Sequence, residues 1–157
     1  MLIRKGSNEQ LTNNFTEKEI FNASYGGVDS FTISDKVLLG AQIIRDFYGV
    51  PMGVNSSHRT VAHELAQGRS GNSQHTKSAL DLRFLEDNEK YLLLYHQDIL
   101  SQGPLYKKLR AAGITGFGLY DTFLHIDPRT ERMSESDEFG KLETWDNRVT
   151  TKKKFQV

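Results

Sequence analysis

The sequence predicts an α+β architecture, on three observations. Helical patterns come first and are then mixed with strands, with no regular βαβ alternation. Residues 116–120 and 123–127 read as two short strands around a turn, which favours an antiparallel sheet. The chain has 157 residues, a length that suits one domain with one core, and 37% of them are hydrophobic and 25% charged, as in soluble globular proteins.

Each element has a local cause. Residues 16–22 open with Thr16 and carry Glu19 three places on, the capping-box pattern of a short helix. Residues 23–32, with their Gly and Ser, read as loop. From 34 to 48, Val37, Leu38, Ala41, Ile44 and Phe47 recur at helical spacing, and Ser34 or Asp35 is available as cap. Pro51 ends that helix, 52–57 is short enough for a strand, and 60–66 allows one or two helical turns. Residues 67–74 are turn formers and read as loop. Residues 79–84 alternate in polarity as a strand does. A second strong helix spans 87–101, and Gly103 and Pro104 break it. A third, 105–112, stops at Gly113. After Pro128 the chain turns polar. The expected division is a domain over 1–135 and a polar extension over 136–157 that either adds an edge strand or hangs off the domain.

Charge and composition exclude several classes. Twenty basic and twenty acidic residues cancel, so no global field draws the chain to nucleic acid or to an anionic membrane, and neither is an expected partner. The one basic run, Lys152 to Lys154, reads as a solvated tail. The chain has no cysteine, which removes disulfides, thiolate metal sites and cysteine nucleophiles. Residues 1–7 hold no apolar core of signal-peptide length, and no apolar run approaches membrane-spanning length.

Five histidines are the candidates for chemistry. His96 falls within a helix and reads as a surface or half-buried side chain, and His63 as structural. His58, before Arg59 at a strand end, suits a site wall or the surface equally. His75 and His125 differ by their company. His75 ends a Gly-Ser-Asn loop, with Asp81 six positions on inside a strand. A carboxylate flanked by Leu80, Leu82 and Phe84 is costly to bury unless paired or metal-bound. In Phe-Leu-His-Ile-Asp, strand alternation puts Phe123, His125 and Asp127 on one face. Two histidines and one carboxylate form the ligand set of a catalytic zinc. By spacing alone, a structural role is the commoner fate of any one of them.

Four segments, in order, resemble the M15 family of zinc D-alanyl-D-alanine carboxypeptidases and its phage-encoded relatives. They are Leu-Thr-Asn-Asn-Phe-Thr-Glu-Lys-Glu-Ile from Leu11, Val-Asn-Ser-Ser-His-Arg-Thr from Val54, Gly-Asn-Ser-Gln-His-Thr-Lys-Ser-Ala-Leu-Asp-Leu from Gly71, and Gly-Phe-Gly-Leu-Tyr-Asp-Thr-Phe-Leu-His-Ile-Asp-Pro-Arg from Gly116. The resemblance spans about Leu11 to Arg129. It implies the hedgehog/DD-peptidase fold, a central antiparallel sheet with helices packed behind it, and zinc held by His75, Asp81 and His125. It makes Arg59 the substrate-facing arginine, placed to stabilise an oxyanion or bind a substrate carboxylate, with Ser57 and Gln74 shaping the pocket. Two departures stand out: five residues rather than the usual six separate His75 from Asp81, and His58 replaces a common tyrosine.

A general base is also needed. Related subfamilies place one three positions before the last ligand, where this chain has Thr122, which cannot serve. Asp121 is the candidate if the turn bulges. Asp127 is the other, either as base or as the partner that orients an imidazole N–H. The implied reaction is hydrolysis of an amide in the peptidoglycan stem or cross-bridge, by a carboxypeptidase or endopeptidase. The stem peptide would be the substrate partner of a monomer. With no signal sequence evident, the expected context is a phage enzyme, released by lysis or carried on the virion. The alternatives are a non-catalytic zinc module, structural or wall-binding, of a phage particle or secretion machine, and an enzyme of the same fold acting on a free dipeptide.

Overall fold

A computed structural model of the chain describes residues 1–71, 73–130 and 143–149. Among the described residues there are two sheets. The smaller pairs β1 (Leu2–Arg4) with β2 (Ser30–Thr32), antiparallel. Between them runs α1 (Glu17–Asn22), whose capping box is formed as expected: the Thr16 hydroxyl accepts from the Glu19 amide, and Glu19 accepts from the Thr16 amide. The β1–β2 pair replaces part of the loop expected over 23–32. Each strand has three residues and one buried side chain, Ile3 or Phe31.

The larger sheet has the order β3 (Met52–Ser56), β4 (Leu80–Phe84), β6 (Leu124–Asp127), β5 (Gly116–Leu119), β7 (Glu143–Asp146). Its first four strands pair antiparallel, whereas β7 joins β5 in parallel. The sheet is therefore mixed rather than wholly antiparallel. The chain must cross from β6 past β5 to reach the far edge, and it arrives in the direction of β5. The extension expected over 136–157 thus contributes an edge strand through residues 143–146, while Lys152 to Lys154 lie outside the described residues.

One face of this sheet is apolar. Leu80, Leu82, Phe84, Leu124, Ile126, Phe117 and Leu119 are all buried, and α2 (Asp35–Tyr48), α4 (Asn88–Leu100) and α5 (Pro104–Ala111) pack there and on one another. Ser34 caps α2, and Gly49 ends it at φ 67°, a conformation glycine adopts without strain. Pro104 occupies the first turn of α5, where its missing N–H costs nothing. His96, expected at or near the surface, is fully buried on α4. Burial lowers its pKa to about 4, with the nearby Arg148 adding to the shift. Among the described residues, no helix is long and apolar enough to cross a membrane.

Strand alternation turns a different set of side chains to the opposite face. The pairing register places Ser56, Asp81, His125, Gly118 and Trp145 in one row across all five strands. An irregularity between Val54 and Ser56 brings Ser56 opposite Asp81. This polar row is the floor of the site.

Candidate metal centre

His75, Asp81 and His125 converge on this face, with one ligand atom from each lying within 4.8 Å of the others. Asp81 and His125 are directly paired residues of β4 and β6. His75 comes from a 3-10 turn, Gln74–Thr76, rather than from plain loop. The Ser73 hydroxyl caps that turn by accepting from the His75 amide. This turn sets the imidazole beside Asp81 of β4. All three side chains are buried.

The partners fix the ring orientations. His75 Nδ1 lies 2.6 Å from the Ser57 carbonyl oxygen, which only accepts, so Nδ1 carries the proton and Nε2 offers its lone pair. That Nε2 is buried without a hydrogen-bond partner among the described residues, yet it sits 3.1 Å from Asp81 Oδ1. His125 Nε2 lies 2.7 Å from Asp127 Oδ2, and its Nδ1 lies 2.8 Å from the same Asp81 Oδ1. With both rings neutral and donating outward, two nitrogen lone pairs and a carboxylate oxygen face one another. Such a cluster requires positive charge at its centre. The same demand for positive charge shows at His125: burial opposes a charged ring, but its contacts with Asp127 and Asp81 outweigh burial and raise its pKa, so that without an ion a second ring proton, on Nδ1, supplies the charge. For Asp81 too, burial works against the charge, and the two imidazoles hold the carboxyl well below the usual carboxylate range. The residues fit a metal: His75, Asp81 and His125 would hold a divalent cation, which would satisfy the set.

Around the cluster, Asp127 is fully buried. It accepts from the Arg129 amide, Nε and Nη2 at 3.0, 2.8 and 2.7 Å. Burial again opposes its charge, but Arg129 and His125 hold its carboxyl well below the usual range. Gly116 makes this arrangement possible, since a Cβ there would lie within 2.5 Å of the Asp127 carboxylate. Arg59 Nε donates to Ser56 Oγ at 3.1 Å, and its two terminal nitrogens reach Glu64 Oε1 and Asp81 Oδ2, each at 3.4 Å. Glu64 is fully buried and also pairs with Arg69.

A cavity of about 380 Å³ lies over the cluster, and Arg59, Gln74, Tyr120, Phe123, Arg129 and Trp145 contribute to its walls. A second, of about 320 Å³, meets it at Arg59, Asp81 and Phe123 and continues past Tyr25 and His63. Ser57 and Asp121 line neither. The Ser57 hydroxyl is tied to the Ile20 carbonyl at 2.6 Å, and its contribution is the carbonyl that orients His75. Asp121 accepts from the Val149 amide at 2.9 Å, holding the segment after β7. Glu64 and Trp145 do not stand out in the sequence, whereas Tyr120 and Arg129 lie in the last of the four ordered segments without having been given a role there.

The fold and the cluster define a class: an α+β sheet whose polar face gathers two histidines and a carboxylate under a cleft. The sequence profile of the Peptidase M15 family matches residues 13–127, well over half of the chain, and the protein belongs to that family. No curated protein and no solved structure matches it.

Proposed function

We propose that this protein is a zinc-dependent peptidase that hydrolyses an amide in the peptide part of bacterial peptidoglycan. The observation that carries the metal is the bare, buried Nε2 of His75 facing Asp81 Oδ1, in a chain of the Peptidase M15 family. His75, Asp81 and His125 would hold the ion. Two imidazoles and a carboxylate suit zinc, leaving a further position for water or substrate. Bound there, zinc supplies Lewis acidity, polarising a carbonyl and making water a stronger nucleophile at neutral pH.

The chain's own residues do the rest. Arg59, held by Ser56, Glu64 and Asp81, offers a guanidinium to an oxygen that gains negative charge or to a substrate carboxylate. Asp127 takes the N–H of His125 and keeps Nδ1 aimed at the cluster. Gln74 and Phe123 wall a cavity of a size that suits a few residues of peptide. The stem peptide as substrate, and action on the wall after lysis or from a phage particle, are supported by the likeness of the four ordered segments.

One observation favours a second reading. Among the described residues, Asp81 is the only carboxylate lining the cavity, so no separate carboxylate stands ready as general base. A non-catalytic zinc module that docks on the wall answers to that. Mass spectrometry of purified muropeptides incubated with the zinc-loaded protein separates the two. Cleavage that is lost in folded His75→Ala and His125→Ala variants supports the peptidase. Intact muropeptides from several wall chemotypes, with zinc bound, support the module.

A further inference from the structure

We infer that β7 is a working part of the metal site and that Trp145, beyond the segment that matches the family, is a positioning residue for His125 and Arg129. The inference rests on the metal reading above and adds a residue to it.

The pairing register supplies the first reason. Trp145 lies opposite Gly118, and Gly118 lies opposite His125. With no side chain in the middle of the row, the indole leans across β5. A Cβ on Gly118 would come within 2.6 Å of the indole and 2.9 Å of His125 Cβ. The indole reaches the imidazole with ring centroids 5.0 Å apart. The second reason is Arg129, whose guanidinium carbon lies over the indole, 4.8 Å from its centroid, a cation–π contact. Arg129 is also the group that grips Asp127, and Asp127 grips His125. Trp145 therefore touches the outer ligand of the cluster directly and its support indirectly.

The indole is itself fixed. Its N–H donates to the Tyr120 hydroxyl at 2.8 Å. The strand is held just beyond it by Asn147 on the Leu119 carbonyl. Arg148, buried against Asp146 and 3.2 Å from His96 Nδ1, secures the end. The pin at Val149 is Asp121, so the carboxylate expected to move protons instead holds the strand that carries the indole.

The test measures zinc affinity by competition with a chromophoric chelator, in the full-length chain. Trp145→Ala is expected to weaken zinc binding by about tenfold or more, the usual effect of removing a partner that orients a ligand. Trp145→Phe, which keeps a ring beside His125, is expected to restore most of it, and Arg148→Met to weaken binding in the same direction by loosening β7. Because Trp145 is the only tryptophan, loading the unaltered protein with Co²⁺ is expected to quench its emission. That measurement stands even if the alanine variant does not fold. Zinc affinity unchanged in folded Trp145→Ala, or emission indifferent to bound Co²⁺, would overturn the inference while leaving the metal site intact. An unaltered protein that takes up no metal would overturn both.

Discussion

Replacing Asp127 by asparagine changes one atom and should disturb both the fold and the site. The carboxylate is fully buried, and among the described residues its hydrogen-bond partners are all donors. Oδ1 takes the Arg129 amide and Nε, and Oδ2 takes Arg129 Nη2 and faces His125 Nε2. An amide group must put its own NH₂ against one of those two sets. On the Oδ1 side it meets two Arg129 donors. On the Oδ2 side it meets a guanidinium and forces His125 to accept at Nε2, which moves the ring proton to Nδ1, the nitrogen facing Asp81. Breaking a buried pair by removing one charge costs about 3–5 kcal/mol, and the retained oxygen argues for the lower end, about 3 kcal/mol. That is a large share of the roughly 5–15 kcal/mol that holds a domain together. Zinc affinity should fall by about 10–100-fold on top of that. Denaturant titration measures the first and chelator competition the second. If Asp127→Asn lost less than about 1 kcal/mol, the net worth of an ordinary hydrogen bond, and bound zinc as tightly as the parent, the assigned role of Asp127 would be wrong.

Two further perturbations test other parts of the account. Glu17 is buried against Arg4, whose hydrogen bonds hold its carboxyl down to about 2. Its contribution is therefore fully present above the unfolded carboxyl's pKa of about 4.3 and is lost as the pH falls from there towards the folded value. In Glu17→Gln, the pH dependence of the thermal midpoint should flatten in that window and nowhere else. Gly116→Ala should destabilise by about 1–3 kcal/mol through overpacking, because the new methyl group falls on the Asp127 carboxylate. Zinc affinity should drop with it, and an alanine variant matching the parent in both would contradict the close approach.

Much of the fold was legible because its signals are local. Thr16 and Glu19 announce α1, the spacing of Val37, Leu38, Ala41 and Ile44 announces α2, and Gly103-Pro104 announces the start of α5. The turn-joined β5 and β6 were legible for the same reason. The pairs β1–β2 and β5–β7 were not. Ile3 and Phe31 are single buried positions in three-residue strands nearly thirty residues apart, too short for alternation to register. Glu143–Asp146 has little apolar character, and its place depends on the space left by Gly118. Within the site, Asp81 drew attention because a carboxylate between Leu80 and Leu82 demands a partner, and it was the likeness of the four ordered segments that joined His75 and His125 to it as ligands. The surrounding roles could not be named. Strand alternation says which face a side chain takes, but not that Ser57 would present its carbonyl, that Asp121 would turn to Val149, or that Trp145 would cross a strand to reach His125. Those depend on contacts between segments far apart in sequence.

The claim that everything else leans on is that His75, Asp81 and His125 together hold one metal ion. Native mass spectrometry of the zinc-equilibrated protein tests it most directly, with His75→Ala, Asp81→Ala and His125→Ala measured beside the parent. The account predicts one zinc per chain in the parent and its loss from each folded variant. A parent that carries no zinc, or folded variants that retain it, would contradict the account.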